Sequence, residues 1–329
     1  MVIPHSLARI LRQTVSLHGL LAVALLAGGC RQDAAPPQTA ITILTGGTGG
    51  SFYPLGEALA SIYSQRIPSI RATAQSTVAS VFNVQAVQQS KAEVAFTQGD
   101  VAYFAYRRGT ETDPRPHTKL RGIAVLWVNT VQLVVPRTSE IREVRDLHDK
   151  RVSVGSPASG TQIVARLVIE GHGMKYDQVK PETLSFAEAV EHMKQGSLDA
   201  GFVVASYPVS AVTDMNASIG VRLIPVDRGI VERIRSDYPF VKPMVIPKRT
   251  YRGQEDDLGT LGVDNILVCR DDLPEELVYQ LTKVLFESLG ALAASDPAAR
   301  LIDPEQGPTT PIPLHPGAAR FYREREILR

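Results

Sequence analysis

Four glycines, Gly46, Gly47, Gly49 and Gly50, fall within five positions and are followed at once by Ser51, Phe52 and Tyr53. Small residues where a strand hands over to a helix let backbone amides at the helix N-terminus approach an anion. A second turn, Gly155-Ser156-Pro157-Ala158-Ser159-Gly160-Thr161, offers three hydroxyls and free amides at another helix start. Each turn also has a plainer reading. One or two of the glycines could serve a bare strand-to-helix turn, and Ser159 or Thr161 could simply cap a helix. The pair is what a ligand held in a cleft between two lobes would need. The first turn is not a dinucleotide fingerprint, because Phe52 stands where the third glycine must allow close helix packing. It is not a phosphate-binding P-loop either, since no Lys-Ser or Lys-Thr pair follows.

Catalytic and metal-binding patterns are missing elsewhere. There is no GxSxG elbow and no HExxH. His117, His148, His172, His192 and His315 sit in charged or turn-like contexts and are expected to be solvated. Asp100, Asp199 and Asp227 read as turn or strand-end acids, and nothing in the sequence pairs them. Trp127 and Tyr207 could pack in a core or wall a cleft. Cys269, in the apolar stretch Val263 to Arg270, reads as a small buried strand residue. No cofactor and no metal is implied.

From Ile41 onward, short β-branched runs alternate with amphipathic helical patterns, which predicts an α/β architecture with largely parallel sheets. Strands are expected at 40–44, 70–75, 94–97, 122–126, 131–135, 151–154, 200–204, 221–224 and 263–269. Helices are expected at 54–67, 80–90, 161–170, 186–195 and, most strongly patterned, 274–294. The strand and Gly/Ser turn at 151–161 echo the opening strand and turn at 41–52, so a second sheet is expected to begin there. The polar stretch 251–260 precedes the strand that would carry the chain back to the first lobe. The predicted division is lobe I from 41–128 plus 263–329 and lobe II from 129–262.

The 329 residues are 44% hydrophobic and 21% charged, which fits globular domains rather than a disordered chain. Lys and Arg number 35 against 34 Asp and Glu, and Arg9 and Arg12 belong to the leader. Nucleic acid is therefore a poor partner, since phosphate neutralisation calls for a basic excess. Residues 1–29 have a basic start and an apolar run, Leu20 to Ala27, and end in small residues before Cys30, the layout of a secretory signal. The run is too short to span a bilayer, which takes about 20 residues. The leader resembles those of bacterial lipoproteins, although Ala27 stands where that pattern prefers Leu, and the resemblance implies a lipidated Cys30 as the mature N-terminus of a membrane-anchored periplasmic protein, with 30–40 as a polar, Pro-containing tether. Plain secretory cleavage is the alternative.

These motifs resemble the TAXI-type solute-binding subunits of TRAP transporters, periplasmic receptors that pass organic anions to a membrane permease. The matching segments include Thr45 to Gly56, Ala74-Gln75-Ser76-Thr77 with Ser80 and Asn83, Ala95 to Gln98, and Arg151 to Thr161. Tyr238-Pro239-Phe240 with Ile246-Pro247, Leu273-Pro274-Glu275 and Pro313 to Ala318 complete the match. The resemblance implies a two-lobed type II periplasmic-binding fold with two interlobe crossovers and a ligand closed between the lobes by hinge motion. Carried over by position, it implies first-lobe contacts from Gly49, Ser51, Phe52, Tyr53, Thr77 and Gln98. From the second lobe it implies Ser156, Ser159, Gly160, Thr161 and the turn at Ser206 and Tyr207.

Ala79, Phe82 and the turn Ala205-Ser206-Tyr207 depart from the family pattern near the expected pocket. They leave the ligand open between glutamate, 2-oxoglutarate and another small carboxylate. Three functional classes follow. The leading one is a monomeric binding receptor, not an enzyme, for a carboxylate, an amino acid or a 2-oxoacid, delivering it to a TRAP permease. The others are a sensor signalling to a membrane partner and a secreted enzyme using Ser51 or Ser159 as nucleophile, for which no base is evident.

Overall fold

A computed structural model describes residues 38–238 and 240–328. The leader 1–29, Cys30, most of the tether and Pro239 lie outside the described residues. Thr39 and Ala40, counted with the tether above, already pair with Ile70 and Arg71 in the sheet.

In chain order the elements open with β1 (Thr39–Leu44), α1 (Phe52–Arg66), β2 (Ile70–Gln75), α2 (Ser80–Gln88), β3 (Val94–Gln98), α3 (Gly99–Arg108) and β4 (Leu120–Pro136). The second stretch holds β5 (Arg151–Ser153), α4 (Gly160–Gly171), β6 (Lys180–Glu182), α5 (Phe186–Lys194), β7 (Ala200–Ala205), α6 (Ser210–Ile219), β8 (Val221–Ile224), α7 (Arg228–Asp237) and β9 (Val241–Ile246). The chain returns through β10 (Leu258–Arg270) and ends with α8 (Glu275–Glu287), α9 (Leu289–Ser295) and α10 (Pro316–Glu324).

A single hydrogen-bonded sheet runs β2-β1-β3-β10-β4-β7-β5-β6, with β8 added to β4 and β9 to β10. This corrects two expectations. The sheet is mixed rather than largely parallel: β10 is antiparallel to β3, β4 and β9, and β4 is antiparallel to β7 and β8. No second sheet begins at Arg151 either, because β5 joins the same ladder through β7. The runs 122–126 and 131–135 are one 17-residue strand, β4. Asn129 lies inside it although Asn is depleted in strands. The indole Nε1–H of Trp127 donates to Asn129 Oδ1 at 3.0 Å, so the side chain has a partner without leaving the strand.

β4 and β10 lie side by side and carry the sheet from one lobe into the other, forming the two crossovers. Register shifts at Asp264/Ile266 and Leu267/Val268 disturb the ladder near the middle of β10, and such bulges bend a strand. The apolar cores divide at the same level. Ile41, Leu59, Phe96, Trp127, Leu267 and Leu281 belong to one cluster, and Val131, Leu133, Val164, Phe202 and Val263 to another. Cys269 is fully buried in the first, and burial pushes its thiol pKa up.

The helix expected over 274–294 is broken. Ser288 leaves helical geometry (φ −116°, ψ 11°), and the Arg66 guanidinium donates to its hydroxyl at 2.8 Å. Strand β9 was not expected, because Pro243 weakens a strand signal; it is tolerated where β10 is the partner and the other side is an edge. Among the described residues no helix is long and apolar enough to cross a membrane, and no group of three or more His, Cys, Asp or Glu could hold a metal ion.

Three histidines expected in solvent are buried instead: His117, His172 and His315. His315 caps α10, Nδ1 accepting from the Gly317 amide at 3.2 Å while Nε2 lies 3.1 Å from the Leu273 carbonyl. That pattern assigns the neutral ring, and burial lowers the pKa accordingly. Asp227 caps α7, and Asp199 at a strand end pairs with Arg151 at 2.6 Å.

Asp100 departs from its reading as a turn acid. It sits in the first turn of α3, fully buried, with neither carboxylate oxygen partnered among the described residues. Burial pushes its pKa up to about 7. The folded protein thus holds a proton on Asp100 that the unfolded chain releases near pH 4, so this residue's contribution to stability falls as pH rises between about 4 and 7. Asp100→Asn is expected to stabilise the protein by roughly 1–3 kcal/mol at pH 8 and by little at pH 4. Equal effects in melts at the two pH values would refute that assignment.

Candidate functional site

The first turn leaves β1 at Leu44 and enters α1 at Phe52, with Pro54 in the first helical turn, where a missing N–H costs nothing. The close helix–strand approach that a glycine must permit occurs at Gly56: a Cβ there would lie 2.2 Å from Thr45 Cγ2. Ser76 Oγ donates to the Gly46 carbonyl at 2.9 Å, and Asn83 Nδ2 donates at 2.7 Å to the carbonyls of both Thr45 and Phe96. One side chain of α2 therefore ties the turn to β3. Ser51, at the N-cap position, does not cap α1; its hydroxyl lies 2.5 Å from Ser206 Oγ of the other lobe.

The second turn joins β5 to α4. Gly155 has φ +92°, and a Cβ on it would meet Thr161 Cβ at 2.6 Å, so only glycine suits the position. Ser159 caps α4, accepting from the Gln162 amide at 3.4 Å, so its plain reading is correct and it lines the cavity as well. A Cβ on Gly160 would lie 2.1 Å from Gln98 Oε1, which shows how closely the lobes meet there. A third helix start, α5, carries a capping box in which Ser185 accepts from the Glu188 amide and Glu188 from the Ser185 amide. Phe186 follows, close to Gly49 and Gly50 of the first turn.

Between the lobes lies a cavity of about 290 Å³. Four helices begin on its wall, α1 and α2 from one lobe and α4 and α5 from the other. Among the described residues the amides of Phe52, Ser80, Gly160, Thr161, Phe186 and Ala187 find no acceptor; the opening N–H groups of a helix have none within it. Each helix start carries about half a positive charge, so four of them together favour an anion. Among the described residues no Asp, Glu, Lys, Arg or His lines the cavity. Phe52, Val78, Phe186 and Val204 supply its apolar surface.

Of the residues expected at the site, Gly49, Ser51, Phe52, Gln98, Ser156, Ser159, Gly160 and Thr161 line this cavity. Four others stand beside it. Thr77 braces the turn, its Oγ1 2.8 Å from the Thr45 carbonyl and 2.7 Å from Asn83 Oδ1. Tyr53 is half-buried on α1. Ser206 reaches the site through Ser51, and the Tyr207 hydroxyl donates to the Val245 carbonyl at 3.2 Å. The 206–209 turn is supported from behind: the buried Tyr251 hydroxyl donates to Gln132 Oε1 and accepts from the Val209 amide, and Gln132 Nε2 donates to the Ser206 carbonyl.

Asn129, Ser185 and Phe186 also line the cavity and were not anticipated. The Ser185-Phe186-Ala187-Glu188 capping-box pattern is a sequence signal that would have found the latter two. For Asn129 nothing local would have done so. Direct hydrogen bonds hold the lobes together: Ser51 to Ser206, Ser210 Oγ to the Gly49 carbonyl at 3.1 Å, and the Val81 amide to the Ala158 carbonyl at 3.1 Å. The cleft is therefore closed.

Solved structures of the same architecture include PhnD1 from Prochlorococcus marinus in complex with methylphosphonate. It has a TM-score of 0.55 at 12% identity, over 88% of this chain and 99% of that one. XAC2383 from Xanthomonas citri bound to ATP has a TM-score of 0.50 at 10% identity, over 89% and 100%. The periplasmic aliphatic sulphonate binding protein SsuA from Escherichia coli reaches 0.48 at 15% identity, over 88% and 94%. At such identities the likeness to PhnD1 and XAC2383 is one of fold, the two-lobed α/β arrangement of type II periplasmic binding proteins. A model of the NMT1-like family matches residues 43–325, a span that contains both long strands and all four helix starts around the cavity. The chain belongs to the NMT1-like family.

Proposed function

We propose that this protein is an extracytoplasmic solute-binding receptor that closes its two lobes on a small organic anion and delivers it to a membrane transporter. The observation that carries this reading is the convergence of four helix N-termini on an interlobe cavity where, among the described residues, their amides are unpaired and no wall residue is ionisable. The contacts come from Gly49, Ser51, Phe52, Gln98, Ser156, Ser159, Gly160 and Thr161. The lobes divide at 128/129 and 262/263, within the two long strands. Ser51 and Ser159 act as a lobe contact and a helix cap, roles that suit binding rather than nucleophilic attack.

The transporter is of the TRAP type, a reading that rests on the motifs Thr45 to Gly56 and Arg151 to Thr161. A ligand that binds only the folded state, at 100 times its Kd, stabilises by about 2.7 kcal/mol, a rise of a few degrees in Tm. A melt screen over carboxylates, 2-oxoacids, amino acids, phosphonates and sulfonates is expected to show such a shift. A flat response across that panel would remove the reading.

Lipidated Cys30 ties the receptor to a membrane on its periplasmic side. Cys30→Ser is expected to move the protein from the membrane fraction to the soluble periplasm, and continued sedimentation of the variant with membranes would rule the anchor out.

A further inference from the structure

The two carboxamides on the cavity wall are oriented, and both turn an N–H end toward it. Asn129 Oδ1 is taken by the Trp127 indole N–H, which turns the Asn129 amide so that Nδ2 is its unused group. Gln98 Oε1 is buried with no partner and packs where a Cβ on Gly160 would be, so the exposed end of the Gln98 amide on the wall is also its NH2. To these are added the unpaired amides of Gly160, Thr161 and Phe186. The fixed polar groups of the wall are therefore donors, and the hydroxyls of Thr48, Ser156 and Ser185 beside them can rotate to donate as well.

Resting on the reading of this cavity as an anion site, we propose that the receptor selects anions that only accept hydrogen bonds and rejects analogues carrying an ammonium group. A 2-oxoacid would be taken over the α-amino acid of the same skeleton. Its carboxylate accepts from the helix starts, and its oxo group accepts from the amides of Asn129 and Gln98. An ammonium in the same place is a pure donor facing donors, desolvated, close to the positive ends of four helices and with no carboxylate on the wall. The Glu188 carboxylate is occupied by the Ser185 amide at 2.8 Å, and Asp296 stands beside Ser51. It is not among the lining residues, its carboxylate caps Ala298 at 2.8 Å, and burial raises its pKa, all of which disqualify it as a counter-ion. A site built around particular hydrogen bonds rejects a ligand that leaves them unmade far more strongly than an apolar pocket rejects a change of size.

Trp127 is a positioning residue here and Asn129 a specificity-determining one. The test is calorimetry on matched pairs that differ in the amine. The probes are 2-oxoglutarate against glutamate, 4-methyl-2-oxopentanoate against leucine, methylphosphonate against aminomethylphosphonate and ethanesulfonate against taurine. In every pair with a binding member, the amine-free anion is expected to bind at least about 100-fold more tightly. An amine-bearing member that binds equally or better overturns the inference while leaving the receptor reading intact. Silence from all eight probes together with a flat melt screen would remove both. Asn129→Asp, which keeps an acceptor for Trp127 Nε1 and adds one facing the cavity, is expected to narrow or invert the preference. An unchanged ratio in a variant with a normal melt would remove Asn129 from the role.

Discussion

Ser159→Asp is expected to abolish anion binding while leaving the fold in place. Ser159 holds the extended backbone of an N-cap (φ −99°, ψ 157°), and Asp caps helices as well as Ser does, so α4 keeps its start. The new carboxylate would stand on the wall of a cavity whose field attracts negative charge. A second anion about 4 Å away, at the effective dielectric of a partly buried site, meets a repulsion of about 4 kcal/mol, close to a thousandfold in affinity. Ser159→Asn keeps the cap without the charge and should bind nearly as the parent does. Calorimetry with the best anion from the melt screen gives the affinities. Small-angle scattering should show the parent, opened by removing ligand, contracting when it is restored, and the Asp variant failing to contract. Undiminished affinity in the Asp variant would place the ligand away from this turn.

The second large effect is expected one residue further on. Gly160→Ala puts a methyl group 2.1 Å from Gln98 Oε1 and 2.4 Å from Gln98 Cδ. Gln98 is 3% exposed and cannot retreat into solvent. Either its amide swings into the cavity and occupies ligand volume, or the lobes part by a fraction of an ångström and lose their mutual contacts. Overpacking of this size costs about 1–3 kcal/mol, here charged to the closed state, so binding should weaken about 5- to 150-fold. Because the clash lies between lobes rather than within one core, the melt without ligand should shift much less than the melt with it. Adding Gln98→Ala removes the clash and should recover part of the closure. A Gly160→Ala variant with unchanged affinity would mean that the bound form is more open than the structure described.

The two results together separate field from fit. Ser159→Asp changes the charge at the helix start and leaves the shape nearly intact, whereas Gly160→Ala alters the shape and adds no charge. If binding depends on the amides at the start of α4, both variants must fail, for different reasons and with different salt dependence. Added salt should soften only the charge effect.

Much of the site was legible in the sequence because it is made of local, backbone-level chemistry. Gly46 to Phe52 and Gly155 to Thr161 announce sharp turns into helices by composition alone. Gly155, with its positive φ, requires its residue type for a reason a sequence can carry, whereas Gly160 lacks room for a Cβ because Gln98 of the other lobe packs against it. Ser185 and Glu188 spell a capping box that could have been read. The alternation of strands and helices, the return of the chain at 263–269 and the buried Cys269 follow from periodicity.

What the sequence alone could not decide depends on partners far along the chain. β4 runs on through Val128 to Thr130 because Gly262 to Asp264 of β10 pair with it there, which overrides the weak strand propensity of Asn129. His117, His172 and His315 have polar neighbours in sequence but are enclosed by elements from elsewhere, and their burial follows from packing rather than composition. The contact between Ser51 and Ser206 joins residues 155 positions apart. The Asn129 amide is turned by an indole two residues earlier on its own strand, but the Gln98 amide is set by packing against a glycine in the other lobe. A sequence determines which groups a backbone can bear and where the chain can turn. Which face a hydrogen-bonding group presents to a ligand is decided only when long-range packing has consumed its other valences.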